Sequence, residues 1–155
     1  MIQRTYSEQL ERVRRFFTRL SNENRDAVEY DDDLWSFFQH CWHFKDWLKN
    51  DPAVPTHITG RVEDDAKGKF AVMICADLAN RSKHAILTSN IRKDAEITSR
   101  NTTVFIGGTK ESTGTFSVSE HIITLSDGST HRARDVAKKA IRDWEELLNS
   151  YGLQY

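Results

Sequence analysis

The feature that most constrains the fold of this chain is a long, aromatic-rich segment at residues 28–49. When the segment is wound into an α-helix, apolar side chains cover much more than one face. Trp35 and Trp42 border the main apolar stripe on one flank, and His40 and Trp47 border it on the other. A helix with so little polar surface must be buried on more than one side. The stripe itself consists of Leu34, Phe37, Phe38, Cys41, Phe44 and Leu48.

Three further segments have the periodicity of helices. Apolar residues recur three and four positions apart at residues 6–20 and at about 134–149, which predicts amphipathic helices. A third helix is predicted at about 64–85, with Gly68 weakening its first turns. The first three helices are expected to form a bundle, and the last helix closes the chain.

Between the third and the last helix the sequence is rich in β-branched residues. Residues 103–108 and 115–125 predict antiparallel strands, and residues 130–132 are the candidate third strand. Because helices and strands are segregated along the chain, we expect an α+β fold. The length of 155 residues fits one domain, residues 1–155. The expected division is a helical part at residues 6–87, a β-hairpin part at 103–132 and a closing helix at 134–149.

Composition and charge exclude several classes of protein. The net charge of −1 provides no global basic field that would attract nucleic acid. No apolar run approaches the roughly 18 residues that a membrane helix needs, and no secretory leader is recognisable. Two cysteines without a leader predict free thiols in the cytoplasm.

Two charged surfaces flank the first loop. The first predicted helix has a basic face that contains Arg15, interpreted as a solvated surface, with phosphate contact as the alternative. Asp31, Asp32 and Asp33 are interpreted as the acidic start of the second helix and a solvated face, with a cation site as the alternative.

The strongest candidate for a functional site is the end of the third predicted helix. Asp77, Asn80, Arg81 and His84 lie on the side of this helix that is apolar in its first half. Asp77 and Arg81 are four residues apart, as are Asn80 and His84, so each pair can make contact. Buried charges are costly unless paired, and histidine is readily tuned for proton transfer. The alternative is a purely structural polar network.

A second cluster surrounds Cys41 in the aromatic helix. His40 with His43, or His43 with Asp46, could supply two ligands to a metal ion, with a third ligand from elsewhere, such as His84. No Cys-x-x-Cys or His-Glu-x-x-His motif is present, so no metal site and no cofactor is predicted. Catalysis by the Cys75 thiol is not expected. His121 and His131, in or beside strands, are assigned no chemical role.

Asn80 and His84, near the end of a helix in a small helical bundle, resemble the motif of the HEPN superfamily. Many members of that family are metal-independent ribonucleases, and many are dimers. Their motif also has an Arg one to two turns before the His, and here that position holds Ala79. The chain also resembles small bacterial proteins with the motifs Cys-Trp-His-x-x-Asp-Trp and Asp-Leu-Ala-Asn-x-x-Lys-His, a likeness that implies no particular activity.

The HEPN resemblance implies a toxin or phage-defence ribonuclease, or a degenerate non-catalytic relative, that acts on RNA as a homodimer. In such a ribonuclease the 2′-hydroxyl attacks the adjacent phosphate and no metal is needed. The alternative is a non-enzymatic α+β module that binds a partner protein or a small ligand. The residues expected to be catalytic are His84, Asn80, Arg81 and Asp77, and those expected to bind substrate are Lys83, Arg15, His40 and Trp47.

Overall fold

The computed structural model confirms the α+β class. It describes residues 4–22, 26–83, 95–109 and 112–155, and over 102–109 and 112–118 it describes the backbone alone. The elements, in chain order, are α1 (Tyr6–Leu20), α2 (Ala27–Asn50), α3 (Thr56–Thr59), α4 (Val62–Lys67), α5 (Phe70–Lys83), β1 (Glu96–Thr109), β2 (Ser112–Thr124), β3 (Thr130–Arg132) and α6 (Ala133–Ser150).

Helix α1 begins where its sequence predicts, because its first turn is doubly capped. Thr5 and Glu8 form a capping box, in which each side chain accepts a hydrogen bond from the other residue's backbone N–H. Asp51, which follows α2, accepts a further hydrogen bond from the backbone N–H of Tyr6 at 2.9 Å. These contacts satisfy N–H groups that the helix itself cannot pair, and the Asp51 contact ties the start of α1 to the end of α2.

Helix α2 is the central element of the core, as predicted. It packs against α1, α5 and α6, and its apolar stripe is almost completely buried. The indole of Trp144 on α6 lies edge-on to Phe44, with ring centroids 4.9 Å apart. Its Nε1–H donates a hydrogen bond to the backbone carbonyl of Cys41 at 3.0 Å. The aromatic side chains of α2 therefore pack against neighbouring helices on several sides.

The single third helix predicted at about 64–85 is wrong, because the chain breaks at Gly68. The N–H groups of Gly68 and Lys69 turn back to the carbonyls of Asp65 and Ala66, which ends α4. Helix α5 then starts anew at Phe70. Its first turn is closed from α6, where the buried carboxylate of Asp143 accepts a hydrogen bond from the N–H of Ala71 at 3.1 Å. The short helix α3 was not predicted.

The sheet is antiparallel, with the strand order β1-β2-β3. Strands β1 and β2 are longer than the predicted segments and pair from Glu96↔Thr124 to Thr109↔Ser112. Strand β3 lies where it was predicted and pairs only with the last residues of β2, Ile122–Thr124. Most of the β1–β2 ladder is thus a two-stranded ribbon. The turn before β3 contains Gly128, whose φ of 82° favours glycine.

Helix α6 closes the chain and starts directly after β3. It ends in a Schellman motif, with Gly152 at φ 70° and the N–H of Leu153 bonded to the carbonyl of Leu148 at 3.0 Å. Its inner face is buried over its whole length. The buried apolar residues of α6 are Ala133, Val136, Ala137, Ala140, Ile141, Trp144, Leu147 and Leu148.

Candidate functional site

Two of the predicted catalytic residues hold the backbone where β1 begins. Asp77, which is 1% exposed, has its Oδ2 3.4 Å from the backbone N–H of Ala95. The Nε–H of Arg81 donates a hydrogen bond to the backbone carbonyl of Ala95 at 2.8 Å. The inward orientation predicted for Asp77 is observed. Because both side chains bind the chain that leads into the sheet, they have a clear structural role at this position.

The other two residues predicted to be catalytic are Asn80 and His84. Asn80 is half-buried on α5. His84 lies outside the described residues, so its pairing with Asn80 stays a prediction. Lys83, a candidate for substrate binding, is the last residue of α5 and directly precedes His84 in the chain.

Lys83 contacts His43 on α2, a residue for which the sequence predicts only a possible role as a metal ligand. Its Nζ lies 3.2 Å from Nε2 of His43, and Nδ1 of the same imidazole lies 3.2 Å from Oδ2 of Asp46. Lys45 adds a second cation, with its Nζ 2.8 Å from Oδ1 of Asp46. We call these four residues the His43 cluster. Its imidazole is held between a carboxylate and an ammonium group at the protein surface, with 38% of the side chain exposed.

The charges in the His43 cluster keep Asp46 ionised. Partial burial would raise the pKa of Asp46, but hydrogen bonds from Lys45 and His43 outweigh it and hold the pKa below its ordinary value. Lys45 is itself nearly buried and lies against the ring of Trp42, 4.9 Å from its centroid. An ionised Asp46 accepts a hydrogen bond from the Nδ1–H of His43, which leaves Nε2 as the basic nitrogen.

His40 lies one turn before His43 and faces α1 instead of the cluster. Its ring stacks on Phe16 with centroids 5.1 Å apart, and its Nδ1 lies 3.2 Å from Nε2 of Gln9. Burial lowers the pKa of His40, and the positive charge of Arg12 and the neighbouring His43 lower it further. His40 is therefore a neutral, stacked ring at neutral pH.

The remaining substrate-binding candidates lie apart from one another. Arg15 is exposed on α1, where it lines a groove of about 400 Å³ together with Arg12 and the acids Glu8 and Glu11. Trp47 is partly buried against the core. Arg12, which lines this groove with Arg15, lies close enough to His40 for its charge to lower the pKa of His40. Lys83 contacts His43, and Trp47 lies one turn after His43 on α2.

We expect the imidazole of His40 to titrate below the ordinary histidine value of about 6.5. Its folded pKa is depressed, so the unfolded chain binds the proton more readily, and His40 destabilises the fold as pH drops from about 6.5 through the folded pKa. An NMR titration of the ring proton measures this pKa. Arg12→Gln should raise it, whereas Arg15→Gln should leave it unchanged; a His40 pKa at or above 6.5 contradicts the assignment.

The metal alternative included His84 as a third ligand, and His84 lies outside the described residues. Across residues 4–22, 26–83, 95–109 and 112–155, no three His, Cys, Asp or Glu side chains are grouped closely enough to hold a metal ion. Both cysteines are buried without a disulfide. Burial raises the pKa of the Cys75 thiol well above its ordinary value, which keeps the thiol protonated at neutral pH.

His121, for which the sequence shows no partner, has a partner in the structure. His121 on β2 is 4% exposed, and its Nε2 lies 2.9 Å from Oδ1 of Asp31 on α2. Asp31 is therefore not purely solvated. It also does not lie at the start of α2, because Asp26 is the N-cap of this helix and Asp31 lies in its second turn. Alternation along β2, which buries residues 119, 121 and 123, is the one sequence signal that points to this histidine.

Comparisons with models of known protein families, with curated proteins and with solved structures find no match for this chain. Within the described residues, none of the helices has the length and apolar character to cross a membrane.

Proposed function

We propose that this protein is a small, metal-independent ribonuclease whose acid–base group is His43. The observation that carries the proposal is the chain of contacts from Asp46 through His43 to Lys83, at 3.2 Å each. It combines an oriented imidazole, a carboxylate that fixes its tautomer and a cation beside its free nitrogen. These are the groups that phosphodiester cleavage through an internal hydroxyl needs.

In this mechanism Nε2 of His43 takes the proton of a ribose 2′-hydroxyl. The 2′ oxygen attacks the adjacent phosphorus, and the bond from phosphorus to the 5′ oxygen breaks. The products are a 2′,3′-cyclic phosphate and a 5′-hydroxyl, which takes its proton from solvent. Asp46 orients His43 and stabilises the imidazolium that forms. Lys83 transfers its hydrogen bond from His43 to a phosphate oxygen, where negative charge develops.

Positive charge near the cluster supports RNA as the substrate. His40 and Arg12 influence each other electrostatically, and Arg12 and Arg15 line the same groove on α1. The arginines of α1 are candidate contacts for an RNA strand that extends beyond His43, although Glu8 and Glu11 reduce the local charge. His84 follows Lys83 in the chain and stays a predicted member of the site. A homodimer with a toxin or phage-defence role, which the HEPN resemblance implies, belongs to the same proposal.

One observation favours a second candidate, a non-enzymatic module that binds a partner protein or a small ligand. Asp77 and Arg81 both hold the backbone of Ala95. Asp77 and Arg81, two of the residues expected to be catalytic, thus have a structural role in holding the backbone before β1.

Cleavage of a labelled single-stranded RNA in the presence of a chelator separates the two candidates. We expect the purified protein to release fragments that end in a 2′,3′-cyclic phosphate, and to leave DNA of the same sequence intact because it lacks the 2′-hydroxyl. RNA that stays intact at micromolar protein overturns the ribonuclease proposal and leaves the binding module. Cleavage that needs a divalent cation overturns the metal-independent mechanism.

A further inference from the structure

The structure also contains a partly enclosed cavity, lined by several polar side chains, where β2 meets the start of α6. Its volume is about 170 Å³, several times the ~30 Å³ that one water occupies in the liquid. The cavity is lined by Tyr30, Ser119, Glu120, His121, Arg132, Arg134 and Asp135.

His121 is the most informative residue of this lining. It is 4% exposed, and Nε2 is bound to Asp31 at 2.9 Å, so that this nitrogen carries a proton. Its other nitrogen, Nδ1, is buried and has no hydrogen-bond partner among the described residues. Burying a polar atom without a partner costs free energy. Nδ1 is not accessible to water in the structure, so a ligand in the cavity would remove that cost after a small shift of the ring that opens Nδ1 to the cavity.

The start of α6 provides a second, independent feature. This helix has 18 residues, and its N-cap residue, Arg132, makes no side-chain cap hydrogen bond. The positive end of the helix dipole and the first N–H groups therefore lie at the cavity, and helix starts of this kind favour anions.

Arg134 and Tyr30 complete the set of donors. Arg134 donates to the backbone carbonyl of Leu20, and no carboxylate in the described chain forms an ion pair with it. Burial raises the pKa of the Tyr30 hydroxyl more than the adjacent Arg134 lowers it, so the hydroxyl keeps its proton. A cationic group and a neutral hydroxyl donor therefore lie beside His121 and the start of α6.

The carboxylates around the cavity do not give it a net negative charge. Glu120 is paired with Arg132, whose Nε lies 2.9 Å from Oε1. Asp31 is paired with His121 and also lies 3.5 Å from Arg100. Asp135 is exposed in the first turn of α6. Among the described residues, Arg134 is the lining cation without a carboxylate partner, and the exposed Asp135 offsets part of its charge.

We propose that this cavity binds a phosphate group, as inorganic phosphate or as part of a small phosphate monoester. Hydrogen phosphate carries both acceptors and a donor, so it can bond to Nδ1 of His121 in either protonation state of the ring. A carboxylate ligand has acceptors only. The site is separate from the His43 cluster, and its occupancy does not depend on the ribonuclease proposal.

Titration of the full chain with inorganic phosphate at constant ionic strength tests the proposal. We expect saturable binding, with NMR shift changes at Nδ1 of His121 and at the amides of residues 133–136. His121→Gln should weaken binding roughly tenfold or more, as loss of a hydrogen bond to a charged group does. The matched control His131→Gln, which alters a histidine on β3 outside the lining, should leave the affinity unchanged.

Three outcomes would overturn the site, and each is visible on the unmodified protein even if His121→Gln does not fold. The first is the absence of saturable binding in the millimolar range. The second is shift changes that fall at the arginines of α1 instead of at His121. The third is acetate binding as tightly as phosphate, which would contradict the preference for a phosphate group. A phosphate monoester that binds more tightly than inorganic phosphate would support the monoester form of the proposal.

Discussion

The His43→Ala variant is expected to cleave RNA about 10²- to 10⁴-fold more slowly than the wild type, which is the usual contribution of a positioned acid–base group. His43 supplies the only imidazole that the described structure places between a carboxylate and a lysine, at 3.2 Å from each. Its side chain is 38% exposed, so the substitution should change stability little. Single-turnover cleavage of a labelled RNA, with unfolding followed in parallel, measures both quantities.

The matched control is His57→Ala, because His57 is an exposed histidine on the short helix α3. Equal rates for His57→Ala and His43→Ala would contradict the assignment. If His84→Ala alone abolishes cleavage, the acid–base group is His84 instead of His43. All three variants are purified in the same way as the wild type, so a contaminating ribonuclease would cleave equally in all of the preparations.

Asp46 acts through His43 and is a positioning residue, so its test is the pH profile. Its ionised carboxylate stabilises the imidazolium form of His43. In Asp46→Asn that support is lost, and the acidic limb of the pH–rate profile, where protonation of the His43 base slows cleavage, should move to lower pH. An unchanged profile with a lower rate would indicate a general loss of structure.

The helices could be predicted well where local signals determine them. The apolar periodicity of α1 and the Thr5–Glu8 capping box act within one or two turns, and the predicted 6–20 coincides with α1. The end of α6 is marked by Gly152 in the same way. The division between α4 and α5 was missed because the contact that starts α5 comes from Asp143, far along the chain.

The start of β1 was missed for a related reason. Residues 96–102 are mostly polar, and their strand conformation is supplied by pairing with β2, beginning at Glu96↔Thr124. Strand propensity depends on such neighbours more than helix propensity does.

The candidate sites depend on contacts between distant elements. Lys83 and His43 are 40 positions apart and meet only because α5 packs against α2. His121 and Asp31 are 90 positions apart and belong to a strand and a helix. Periodicity shows which face of an element is apolar, but it does not show which polar residues of two elements will touch. The periodicity of α5 therefore predicted correctly that Asp77 points inward, but it did not reveal the contact of Asp77 with Ala95.

The Trp144→Ala variant is expected to lose about 3–5 kcal/mol of unfolding free energy, the range for removing a large aromatic ring from a core. Trp144 is fully buried and packs edge-on against Phe44. Its removal also leaves the carbonyl of Cys41 without the indole donor. A loss of this size is a large share of the ~5–15 kcal/mol that stabilises a typical domain. Urea unfolding followed by circular dichroism measures it.

Two further variants separate the packing of Trp144 from its hydrogen bond. Trp144→Phe keeps an aromatic ring against Phe44 but removes the donor to Cys41, so its loss should be clearly smaller than that of Trp144→Ala. Trp47→Ala is the control, because Trp47 is only partly buried at the edge of the core. If Trp144→Ala loses no more stability than Trp47→Ala, then α6 does not pack on α2 as described. The order expected is Trp144→Ala largest and Trp144→Phe smaller, because the cavity left by the ring outweighs the lost hydrogen bond, worth about 1 kcal/mol.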